Sequence, residues 1–261
     1  MATIPTFAPG AFPAGLLAEA SRRAALASVP APVGAHGPAA RLLLGELATF
    51  AAPVMRPLRP SFSLPQTHNP QVVMLLPGLG THPTRMRFMA EKLEQAGHRT
   101  KRWGLGFNFG PTEEKFAILR ERLAHLHSRY GRQVVLVGWS LGGIFAREIA
   151  KHQPEHVAKV VTMGSPFSGT PYANNAWRLY QLLAGHEVSR PPVKAELAVK
   201  PPVETVALWS PRDGIITPRS AAGRPGERDR AVALRCTHIG FSNAEEAIRT
   251  VAEELERTRS G

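Results

Sequence analysis

Apolar positions in this chain follow two rhythms. Short runs such as "QVVMLL" (71–76), "QVVLVGW" (133–139), "VAKVVTM" (157–163) and "VETVALWS" (203–210) are apolar at almost every position. Strands buried on both faces read this way. Between them lie stretches with helical spacing. One is 84–96, where Met86, Met89 and Leu93 recur on one face and Gly97 ends the pattern. A second follows Pro111, carries Glu113 and Glu114 in its first turn and closes at Gly131. "LGGIFAREIAKHQ" (141–153) and residues 243–258 complete the set. "HRTKRW" (98–103) and "AVALRCTH" (231–238) read as two further strands. Strands alternating with helices predict an α/β fold, with a mainly parallel sheet of about six strands covered by helices on both faces.

Two segments depart from this pattern. Residues 1–65 are rich in Ala and Pro, with helical stretches near 14–28 and 39–51. They read as an N-terminal extension to a domain spanning 66–261. Residues 167–202 carry no strand pattern, contain the helix "AWRLYQLLAG" and are bounded by the proline pairs 191–192 and 201–202. A long insertion after a parallel strand sits at the sheet edge where open α/β folds bind ligands, so it reads as a cap over a pocket.

Composition narrows the function classes. Lys and Arg number 32 against 20 acidic residues, a net charge of +12, but they are scattered and not interleaved with aromatics. That argues against nucleic acid as a partner and leaves weak peripheral contact with anionic lipid surfaces open. The apolar segment "LLLGELATFAAPVM" (42–55) is too short to span a bilayer and carries Glu46. One cysteine, Cys236, excludes an internal disulfide and a thiolate zinc cluster. The start of the chain lacks a secretory pattern, which points to the cytoplasm. His125 and His127 are two apart and point to different helix faces, while His152 and His156 are four apart but are interrupted by Pro154 and lack a carboxylate pair, so neither pair reads as a metal site. The glycine-rich stretches match no nucleotide-binding loop. No metal and no cofactor are expected, and oligomeric state is not legible.

The chemistry gathers around Gly138-Trp139-Ser140-Leu141-Gly142. A serine between glycines, with a buried strand before it and a helix after it, has the form of a nucleophile elbow. Its hydroxyl needs a base, and the base an orienting acid, in the chain order Ser, acid, His. His238 follows the last strand and is the candidate base. Asp213, in "WSPRDGII" after the fifth strand, is the candidate acid; Asp229, Glu187 and Glu204 are its rivals. Backbone N–H groups of Leu141 and of Leu79, in the loop "PGLGTHP", are candidates for an oxyanion hole. Trp139, Phe167, Trp177, Tyr180 and Leu183 are candidates to line the substrate pocket.

"LLPGLG", "GWSLGG", "GSPFSGTPYA", "WSPRDGII" and "THIGF" occur in this order. Over about 71–258 the chain resembles the α/β-hydrolase superfamily, in particular its bacterial lipase- and esterase-like members. Pro77-Gly78 stands where many such lipases have His-Gly, and Phe167 where many have His. The resemblance implies a cofactor-free serine hydrolase cleaving a small-molecule ester or lipid, with Ser140 as nucleophile, Asp213 as acid and His238 as base. Acyl transfer, thioester or amide cleavage, and a non-catalytic binding module on the same fold, are the alternatives.

Overall fold

A computed structural model describes residues 14–50 and 62–257. Six strands form one sheet: β1 (Val72–Leu76), β2 (Arg99–Arg102), β3 (Val134–Trp139), β4 (Val157–Met163), β5 (Glu204–Trp209) and β6 (Arg230–Ala233). Their spatial order is β2-β1-β3-β4-β5-β6, and every pairing is parallel. Parallel neighbours require crossovers, and helices supply them on both faces.

The continuous apolar runs follow from that burial. In β1, Val73 and Leu75 join a core with Met86, Met89, Leu93, Phe241 and Val251. Val72, Met74 and Leu76 point into the opposite core, with Phe116, Leu119 and Phe145. The first core lies under α3 (Arg87–Gln95) and α8 (Glu245–Glu256), and the second under α4 (Glu113–Tyr130) and α5 (Leu141–His152). Local chemistry sets the helix ends. Thr112 Oγ1 accepts the N–H of Lys115 at 3.2 Å, two glutamates fill the first turn, and Gly131 ends α4 in the left-handed region at φ 61°.

Several boundaries differ from the sequence reading. The last strand ends at Ala233, not at residue 238. After Leu234 N–H donates to Trp209 O at 2.7 Å, the chain leaves the sheet, so Cys236 is buried in a loop and not in a strand. The helix expected from residue 84 begins as a tighter turn, Pro83–Met86, in which Pro83 occupies the first turn. A five-residue helix, α7 (Pro218–Ala222), was not expected; Thr217 caps it and Gly223 ends it.

Two N-terminal helices, α1 (Ala14–Ala27) and α2 (Ala40–Phe50), lie against the body. Residues 1–13 and 51–61 of the expected extension fall outside the described residues. The inserted segment forms α6 (Trp177–Ala184) and irregular chain around it. Arg22 and Arg23 of α1 donate to the Gly185 and Leu183 carbonyls at 2.9 and 2.7 Å, bringing positive charge to the C-terminal end of α6. Among the described residues, no helix is long and apolar enough to cross a membrane.

Candidate active site

All six parallel strands end at one edge of the sheet, and the loops after β1, β3, β5 and β6 meet there. β3 runs directly into Ser140 and then α5. Ser140 has φ 54° and ψ −122°, and it alone among the described non-glycine residues has positive φ. Such a conformation is strained for a side-chain-bearing residue and persists only when its surroundings over-determine it. The neighbouring glycines supply that constraint. A Cβ on Gly138 would lie 2.4 Å from Gly142 O, and one on Gly142 2.2 Å from Leu76 O. The turn can therefore pack against β1 only with hydrogens at these positions. Ser140 N–H donates to Met163 O at 2.8 Å, which ties the elbow to β4.

The loop after β1 approaches the serine from one side. A Cβ on Gly78 would meet the Trp139 ring at 3.2 Å and Ser140 Cβ at 3.3 Å. Asn108, buried and unremarked in the sequence reading, holds this loop. Its Nδ2 donates to Pro77 O at 2.8 Å, and its backbone carbonyl accepts the Gly80 N–H at 2.7 Å. Leu79 thus sits in a loop pinned on both sides of it. Leu141 is the first residue of α5, where a backbone N–H has no intrahelical acceptor.

On the other side are the candidate acid and base. Asp213 Oδ1 accepts the N–H groups of Ile215 and Ile216 at 2.8 and 2.7 Å, which orients the carboxylate. Oδ2 faces His238 Nδ1 at 2.8 Å. A carboxylate oxygen accepts, so Nδ1 carries the proton and Nε2 is left as an acceptor. Both side chains are buried. Burial pulls the His238 pKa down, but the charge and hydrogen bond of Asp213, with the charge of Glu46, outweigh it and hold the pKa above the ordinary histidine value. Of the rivals, Asp229 accepts from Thr205 N–H and Lys200 Nζ at the opposite edge, at the start of β5. Glu204, the first residue of β5, lies 3.3 Å from Lys159 Nζ.

Ser140 lies between two cavities. An open cleft of about 1050 Å³ is lined by Ser140, His238, Trp139, Phe107, Leu183 and Arg85, among others. A smaller apolar cavity of about 110 Å³ lies under the inserted segment, against Leu141, Ile144, Trp177, Tyr180 and Val193. Leu79 lines both. Phe167 lines neither: it is 1% exposed, with the Arg147 guanidinium 4.1 Å from its ring centroid. Burial pushes the Tyr180 hydroxyl pKa upward, so it remains protonated. Among the described residues no cluster could hold a metal ion.

Glu46 also reaches this region, from α2. The sequence carried a signal for it, a lone acid inside an apolar run, but no local pattern names its partners.

Residues 71–184 match the family model described as the alpha/beta hydrolase fold. A lipase of Bacillus licheniformis in mature form superposes with TM-score 0.56 at 16% identity, over 75% of this chain and 96% of that one. The naproxen esterase of Bacillus subtilis superposes with TM-score 0.50 at 14% identity, over 82% and 98%. A pimeloyl-[acyl-carrier protein] methyl ester esterase of Vibrio cholerae is 37% identical over 71 residues, which span 27% of each chain. Its likeness therefore concerns about a quarter of that relative. With its parallel sheet, strand order and strained serine turn, the chain has the α/β-hydrolase fold, and residues 71–184 are similar to that family's model.

Proposed function

We propose that the protein is a serine hydrolase of carboxylic esters, with Ser140, His238 and Asp213 as its triad. The observation that carries this reading is the buried 2.8 Å contact between Asp213 and His238, in a cleft that Ser140 also lines. His238 Nε2 takes the hydroxyl proton as Ser140 Oγ attacks the ester carbonyl carbon. The N–H groups of Leu79 and Leu141 receive the resulting oxyanion. The intermediate collapses, the alkoxide leaves with the proton from His238, and an acyl-enzyme remains. Water, giving a proton to His238, then attacks that acyl group. The carboxylic acid departs and Ser140 regains its proton.

Two cavities of unequal size meet at the serine. This supports an ester with a compact apolar group on one side and a larger part on the other. The inserted segment 167–202 serves as the cap over the smaller compartment, through Trp177, Tyr180 and Val193. The lipase and esterase neighbours share the fold on which this serine turn stands.

The test is hydrolysis of p-nitrophenyl esters of increasing acyl length by the wild type and by Ser140→Ala. Release of p-nitrophenol by the wild type, reduced about 10³-fold or more in the variant, is expected. Absence of release at every chain length, or equal release by both proteins, would overturn the reading.

A further inference from the structure

Glu46 is 4% exposed, although it sits on a helix outside the sheet domain. Its carboxylate is spent entirely on backbone. Oε1 accepts the N–H of Gly214 at 2.9 Å and that of His238 at 2.6 Å, while Oε2 accepts the N–H of Ile239 at 2.9 Å. Gly214 directly follows Asp213. One side chain therefore ties the loop that carries the acid to the loop that carries the base.

The surroundings are built for this contact. A Cβ on Gly214 would lie 2.6 Å from Leu42 O and 3.0 Å from Glu46 Cγ, so α2 presses on the Asp213 turn where a glycine alone fits. Thr237, adjacent to His238, hydrogen-bonds through Oγ1 to Thr49 Oγ1 at 3.0 Å, from the same face of α2. Asn175 Nδ2 donates to Gly214 O at 2.8 Å and to Pro38 O at 3.0 Å, holding the segment before α2 against the same turn.

We propose that Glu46 is a positioning residue for the Asp213–His238 pair: it fixes the two loops relative to each other and sets a second buried negative charge behind the imidazole. The proposal rests on the triad reading given above. Other groups around His238 are few. The Trp139 and Phe241 rings flank it. The nearby Cys236 thiol has a pKa raised by burial and by Glu246, Asp213 and Glu46. Glu246 is itself engaged with the Arg235 N–H, and Glu245 stands at the cleft rim, paired with Arg249. The charge of Glu46 favours the imidazolium in the same sense as that of Asp213.

Glu46→Gln keeps the size but replaces one acceptor oxygen by an NH₂ group, so it cannot accept at all three sites. The variant should fold, lose about 10–100-fold in kcat towards the best p-nitrophenyl ester, and show the acid limb of kcat/KM at lower pH than the wild type. Glu46→Asp keeps the charge and shortens the reach; it should restore the acid limb more than it restores kcat. NMR titration of the His238 ring in wild type and Glu46→Gln gives the same comparison without turnover, with a lower pKa expected in the variant. A wild-type limb and kcat in Glu46→Gln overturn the proposal. A loss of kcat with neither limb nor ring pKa moved, or failure of both variants to fold, reduces Glu46 to a purely structural group and also overturns it. Labelling of the wild type by a phosphonate ester separates this from the parent reading. If Ser140 takes up no phosphonate, the hydrolase reading fails, while the NMR comparison still decides for or against Glu46.

Discussion

Ser140 keeps an unfavourable backbone because hydrogen atoms surround it where side chains cannot go. His238 is held by opposing effects: burial disfavours its charge, and Asp213 together with Glu46 more than restores it. Only the neutral imidazole can accept the serine proton, so activity should fall as pH drops through a pKa raised above about 6.5. In Asp213→Asn the acid limb of kcat/KM should move down and the plateau should fall by about 10⁴-fold. A limb that stays in place would separate Asp213 from the base. Stability follows the opposite sign. Because the folded pKa is raised, the pair's contribution is full below the unfolded value near about 6.5 and is lost as pH rises through the folded value. The Tm difference between wild type and Asp213→Asn should therefore be larger at pH 6 than well above the folded pKa.

At the scale of elements, α5 both starts at the serine and anchors the inserted segment. Arg147, fully buried, donates to carbonyls of Leu197, Ala198, Val199 and Glu227. Its pKa is lowered by burial to about 10, so the guanidinium stays charged at neutral pH. Arg147→Met removes these donors and should destabilise the protein by about 3 kcal/mol, measured by urea unfolding. A cost within about 0.5 kcal/mol would mean that the segment holds itself. None of this was legible in the sequence, because the partners of Arg147 lie 50 residues or more away. The strands β1, β3, β4 and β5 were legible, since burial on both faces writes itself as unbroken apolar runs. The serine turn was legible because its glycines are local. β6 was read too long: its apolar residues continue beyond the sheet into a loop buried for another reason, the delivery of His238. Phe167, a candidate pocket residue at the start of the inserted segment, has its ring covered by Arg147, a packing that no local pattern announces.

For the whole molecule, rigidity should grade outward from the middle of the sheet. β3 is buried along its entire length between β1 and β4, while α1 exposes Leu16 and Leu17. Amide hydrogen exchange should be slowest in β3 and β4 and fastest in α1, with α2 nearer the sheet than α1 because its Glu46 is tied to two loops. Equal exchange of α1 and α2 would contradict the clamp. That clamp also has a consequence for how the molecule comes into being. Glu46 is translated well before its partners at 214 and 238, which follow 168 and 192 residues later. Closing so wide a loop is an entropic cost that no early contact offsets. A growing chain on the ribosome can therefore build the serine turn while α2 still waits, and the two halves of the site first meet only once residues 214 and 238 have both emerged.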